Sequence, residues 1–164
     1  MRAFIGIKLT DCIEEISNLI SELKKQEKNA NYTKLENIHL TLEFLGEISE
    51  NQVEIIRKIF KELNYQKFTL EIRKLSNLKN MYVCYLKENP YLFNLQKIIH
   101  EKLKNEKFKL EDRKFLPHIT IAREVNKKID KELNFTSIVD SIYLFQSTRV
   151  NKELKYIPII EKKF

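Results

Sequence analysis

Two four-residue segments share the pattern His-apolar-Thr-apolar: His39-Leu40-Thr41-Leu42 and His118-Ile119-Thr120-Ile121. They use two of the chain's three histidines, and with only seven threonines the coincidence would arise by accident roughly once in two hundred such sequences. Two imidazoles presented alike suit metal-free acid–base chemistry at a phosphodiester. A neutral ring takes a proton from water while an imidazolium on the far side gives one to the departing oxygen, and an ordinary pKa near about 6.5 lets histidine fill both roles. The threonine hydroxyls would donate to non-bridging phosphate oxygens. One such histidine on a half-buried strand would ordinarily be structural, so the doubling carries the signal. A metal site is disfavoured because no carboxylate or thiol stands nearby at ligand spacing. His100, in Ile98-Ile99-His100-Glu101, has no companion threonine and reads as a helix-surface residue.

Alternation in each motif puts His39 and Thr41 on one strand face and Leu40 and Leu42 on the other, and likewise His118 and Thr120 against Ile119 and Ile121. The apolar pair would anchor the strand in a core and leave the imidazole and hydroxyl on offer. By the same alternation Ala122 shares the His118 face and Arg123 falls on the opposite one, near the strand's end. From there its guanidinium reaches a phosphate only if the strand twists or stops; a salt bridge is the competing role.

The elements that would position these strands follow from periodicity. Strands are expected at 2–9, 37–45, 67–75, 81–87, 117–123, 136–146 and 154–160. Ile13, Ile16, Leu19, Ile20 and Leu23 form the stripe of a helix over 11–28, with Asp11 as N-cap. A second helix opens at Ser49, which stands at capping-box spacing from Gln52. A third runs from about Pro90 to Lys104. A shift of 79 residues lays the first motif on the second and Phe4-Ile5-Gly6-Ile7 on Val83-Cys84-Tyr85-Leu86. Two similar lobes from an internal duplication are therefore expected, with the two motifs facing each other across a cleft.

At 164 residues the chain suits a single domain. The 43% hydrophobic and 32% charged content excludes a disordered or membrane-embedded chain. The run Ala3–Ile7 meets Lys8 and Asp11 too soon for a signal-peptide core or a span. Cys12 and Cys84, far apart and outside any CxxC, fit thiols in a reducing cytoplasm. The net charge of +7 includes clusters at Lys24-Lys25-Lys28, Lys102-Lys104-Lys107-Lys109 and Arg113-Lys114. These attract polyanions, although solvated lysine faces are the commoner reason for such runs.

The segments Met1–Ile5, Glu36–Gly46, Arg113–Arg123 and, more faintly, Tyr143–Ser147 resemble the RNA 2′,3′-cyclic phosphodiesterases, also called 2′-5′ RNA ligases, of the two-histidine (2H) phosphoesterase superfamily. The resemblance implies an α+β fold with two pseudo-symmetric antiparallel sheets flanked by helices around a central cleft, built as one domain of two intertwined lobes over 1–164. It implies hydrolysis of an RNA terminal 2′,3′-cyclic phosphate to a 2′-phosphate with no metal or cofactor, weak reverse 2′-5′ joining, and a cytoplasmic monomer that meets RNA and no membrane. By motif, His39 is similar to the proton donor to the 3′ oxygen and His118 to the base that activates water. Thr41 and Thr120 would hold phosphate oxygens, and Arg123 is similar to an arginine near the substrate. Tyr32 stands where tryptophan is common, Arg73–Asn77 replaces a glycine-rich stretch, and a glycine common before the last strand is missing around Asn151-Lys152-Glu153. Two other readings remain: a related 2H phosphodiesterase acting on a small cyclic nucleotide, and a non-catalytic RNA-binding module.

Overall fold

The computed structural model describes residues 1–164. Its elements run β1 (Arg2–Lys8), α1 (Ile13–Gln26), β2 (Asn31–Tyr32), a 3-10 turn (Leu35–Asn37), β3 (His39–Glu47), α2 (Glu50–Glu62), β4 (Phe68–Leu78), β5 (Met81–Leu86), α3 (Pro90–Asn105), β6 (His118–Arg123), β7 (Asp130–Val139), β8 (Ser141–Val150) and β9 (Glu153–Lys163). The expected capping box opens α2, with Ser49 and Gln52 each bonding the other's backbone N–H. Asn89 caps α3, and Pro90 fills its first position, where no N–H is needed. Asp11 does not cap α1. Its carboxylate accepts instead from the Ile138 N–H at 2.6 Å, tying the start of α1 to β7.

All strands pair antiparallel in one sheet of order β7-β4-β5-β6-β3-β1-β8-β9, with β2 attached to β6. The order is palindromic about the β6–β3 junction, where a single pair, Leu40 with Ile119, joins the halves. Those two residues are themselves 79 apart, so the duplication seen in the sequence becomes a pseudo-two-fold axis between the motif strands. In the N-terminal half, β8 and β9 take the places that β4 and β7 take in the other. The halves are interleaved through their helices. Glu22 of α1 pairs with Lys131 of β7 at 3.0 Å, and Gln96 and His100 of α3 bond Glu43 of β3.

The single strand expected over 136–146 is two strands broken at Asp140, one in each half. β7 and β8 are six places apart, about 29 Å across a flat sheet, and one residue cannot span that distance. The sheet therefore curls. Alternation does not reveal such a break because both strands keep an apolar phase on either side of it. One hydrophobic core, with Ile5, Ile16, Leu40, Leu75, Leu95 and Ile119 among its buried members, runs through both halves under the helices. The opposite face of β3 and β6 is left open.

Candidate active site

His39 and His118 start their strands in the same way. In each the ring Nδ1 lies 2.7 Å from the carbonyl oxygen two residues upstream, Asn37 for His39 and Leu116 for His118. An Nδ1–H donated to that carbonyl fixes the neutral tautomer and leaves Nε2 for chemistry. Leu40, Leu42, Ile119 and Ile121 are buried beneath, as the alternation requires, and His39, Thr41, His118 and Thr120 together line a cleft of about 670 Å³.

Arg123 lines the same cleft, which corrects its expected placement on the far face. The cause is a β-bulge. Val83 faces Thr120 while Tyr82 faces Ala122, so Ile121 is an extra residue against β5. Ile121 and Ala122 are then both buried, and Arg123 returns to the face of His118 and Thr120. Bulges re-aim side chains in this manner and strict alternation cannot foresee them. β3 carries its counterpart at the equivalent position: Gly6 faces Thr41 and Ile5 faces Glu43, so Leu42 is extra and Phe44 turns onto the open face. Phe44, the mate of Arg123 under the 79-residue shift, is 58% exposed and also lines the cleft.

The histidines differ in their surroundings. His39 lies between the Phe4 ring, with centroids 4.7 Å apart, and the Tyr156 ring, edge-on at 4.9 Å. Its Nε2 is 2.9 Å from the Thr41 hydroxyl, which donates when Nδ1 holds the proton. Burial pushes its pKa down to about 4, helped by the positive charge of Arg123 and by His118, while the Asn37 carbonyl opposes the shift. His118 has no bond to Thr120 and stands at a more open edge. Tyr156 and Phe44 carry no signal along the chain: no spacing ties β9 to His39, and Phe44 looks like an ordinary strand residue. Asn37 is buried, and its side-chain amide donates to the Leu154 carbonyl while its oxygen accepts from the Tyr156 N–H, holding β9 against the first motif.

His100 is not a free surface residue. Its Nδ1 lies 3.1 Å from the carboxylate of Glu43, which the β3 bulge turns inward and whose pKa burial raises. Cys12 and Cys84 are buried free thiols, pushed up to about 11 and about 12 chiefly by burial, so neither is primed as a nucleophile. No three His, Cys, Asp or Glu side chains are grouped to hold a metal ion, and no helix is long and apolar enough to cross a membrane.

An antiparallel sheet with pseudo-two-fold symmetry, carrying one histidine-threonine strand from each half onto a shared cleft, defines a two-histidine phosphoesterase. The chain belongs to the 2′-5′ RNA ligase superfamily, whose family model matches residues 13–146. It is 33% identical over 128 residues, 75% of this chain and 71% of the relative, to an RNA 2′,3′-cyclic phosphodiesterase of Methanocaldococcus jannaschii. A Thermotoga maritima protein of the same name is 27% identical over 164 residues, covering 90% of this chain and 87% of the relative. Among solved structures, E. coli LigT complexed with 3′-AMP superposes with a TM-score of 0.84 at 21% identity, covering 98% of this chain and 95% of that one.

Proposed function

We propose that this protein hydrolyses the terminal 2′,3′-cyclic phosphate of RNA to a 2′-phosphate without a metal. The observation that supports this best is the pair of imidazoles, each tethered through Nδ1 and each lining, with Arg123, one cleft. His118 takes a proton from water as the water oxygen bonds to phosphorus. The bond from phosphorus to the 3′ oxygen breaks, and that oxygen leaves with a proton from His39. Thr41, Thr120 and Arg123 hold the non-bridging oxygens, where charge accumulates. With the 5′ hydroxyl of a second RNA in the place of water, the same steps open the cyclic phosphate to a 2′-5′ linkage, a weak joining activity in which the 3′ oxygen is again the leaving group. Because one chain supplies every group, residues 1–164 act as a single two-lobed domain and as a monomer. The unpaired thiols suit the reducing cytoplasm.

The free-state pKa of His39, about 4, is too low for an acid at rest. The substrate corrects this. A single phosphate charge about 4 Å away, at an effective dielectric of about 20, is worth about 4 kcal/mol, or about three pKa units, which returns the ring to the neutral range. His39 is thus protonated as the anion enters.

The test is single-turnover hydrolysis of an RNA ending in a 2′,3′-cyclic phosphate, in EDTA. Activity persists, the product carries a 2′-phosphate, and His39→Ala and His118→Ala each lose at least about 10²-fold. Full activity in either variant would overturn the mechanism, and a requirement for added metal would overturn its metal independence.

A further inference from the structure

The cleft opens into two arms of different chemistry. One, about 290 Å³, leaves from Thr41 and His118 and is lined by the apolar side chains of Phe44, Leu78, Phe115 and Leu116, with the carboxylates of Glu43 and Glu111 set against the cations of Lys79, Arg113 and Lys114. The other, about 330 Å³, leaves from His39, Thr120 and Arg123 and passes Tyr156, Arg149 and Lys34. It continues past Tyr32 and Thr33 into a further groove of about 420 Å³, where α1 presents Ser17, Ser21 and Lys24 along one stripe and Lys28 follows just beyond the helix end. This second arm is cationic throughout. Its single carboxylate, Glu153, is engaged by Lys34 at 2.8 Å, while Lys24, Lys28, Arg123 and Arg149 form no ion pair. Aromatic faces are interleaved with the charges, and the Lys24 ammonium stands 5.6 Å from the centre of the Tyr32 ring. The tip carrying Arg149 is held in place. Asn151 and Lys152 take φ of 53° and 68°, the geometry of a tight hairpin turn, and the Arg149 guanidinium donates to the Lys152 carbonyl at 3.1 Å.

We infer that the second arm is the path of the RNA body: a single-stranded 3′ end lays its upstream phosphates along Arg149, Lys34, Lys28 and Lys24 and its bases against Tyr156 and Tyr32, while the terminal base enters the apolar arm. This rests on the phosphodiesterase reading above and adds to it the track on which the body of that RNA lies. A basic groove with stacking rings is the chemistry that holds single strands without reading their sequence. The apolar arm, where the two carboxylates offset most of the cationic charge, suits a nucleobase better than a row of phosphates. A terminal cyclic phosphate leaves the chain only its 5′ oxygen as an exit, so base and chain must separate at this point.

The experiment compares kcat/KM for a mononucleoside 2′,3′-cyclic phosphate with that for an unstructured oligoribonucleotide bearing the same end, in wild type, the double variant Lys24→Glu/Lys28→Glu, and Lys114→Glu on the apolar arm. The wild type prefers the oligomer by about tenfold or more. The double charge reversal collapses that preference and lowers the salt slope for the oligomer by about 0.7 for each phosphate it ceases to neutralise; Lys114→Glu keeps the preference. Equal use of the two substrates by the wild type, or disappearance of the preference in Lys114→Glu instead, would overturn the path. Failure to hydrolyse either substrate would count against the phosphodiesterase reading alone. The path would then be read from the fluorescence anisotropy of a labelled oligoribonucleotide, whose affinity must fall in the double variant; an unchanged affinity overturns it.

Discussion

β3 and β6 present the same motif, the same Nδ1 tether and the same bulge, yet build unlike half-sites. On β3 the imidazole is enclosed by Phe4 and Tyr156, its Nε2 is engaged by Thr41, the bulge turns Glu43 inward, and Phe44 follows on the open face. On β6 the imidazole stands freer, the bulge buries Ala122, and Arg123 follows. A duplicated pattern thus fixes where two groups stand, while non-equivalent neighbours give them different surroundings. An acid and a base need different environments, and a perfectly symmetric site would give both rings the same one.

The most severe challenge to this asymmetry removes one ring at a time. His39→Ala and His118→Ala should each cost about 10²–10⁴ in single-turnover rate, and the double variant little more than the worse single one, as the proposed single step with both rings requires. Additive losses would show two independent effects. Truncating the mates beyond the bulges comes next. Arg123→Ala should lower kcat/KM by about 10²-fold because the phosphate is deprived of a donor, whereas Phe44→Ala should cost about tenfold or less, the worth of one stacking face. Steady-state kinetics on the same substrate ranks the two, and the reverse ranking would reassign the anion-binding group.

His39 also links the site to stability. Its folded pKa, about 4, lies below the ordinary value of about 6.5, so between these values the unfolded chain binds more protons. Stability should be complete above about pH 6.5 and fall toward about pH 4, by at most about 3 kcal/mol from this group. Urea titrations of wild type and His39→Gln across that window check it: the variant should lose less on acidification, and parallel curves would reject the assignment. The smallest effect separates Gly6 from its mate Tyr85. A Cβ on Gly6 would stand 2.9 Å from the Leu40 carbonyl oxygen, so Gly6→Ala must push β3 and should cost about 1–3 kcal/mol in chemical denaturation. Tyr85 already carries a full side chain at the matching place on β5, so equal tolerance of Ala at both would show that the strands do not approach as closely as described.

Much of this was legible in the residues. Helix stripes, the Ser49 box and the 79-residue repeat are local or periodic signals, and the structure turns the repeat into an axis between Leu40 and Ile119. Other features lay outside local pattern. The Asp140 break depends on which strands pair across the sheet. Asp11 bonds Ile138 rather than its own helix because β7 arrives from far along the chain. The Glu43–His100 pair needs α3 to cross to the other half, and Arg123 reaches the cleft only through a bulge defined by its partner strand.

The two histidines, their presentation beside a hydroxyl and the family to which the chain belongs are written in the chain itself, because residue types and spacing follow it directly. That Arg123 and Phe44 face the cleft, that Tyr156 encloses His39, and that the two histidines are unequal comes from folding alone. Burial, strand register and charge at close range are set by residues distant in sequence, and no pattern along the chain contains them.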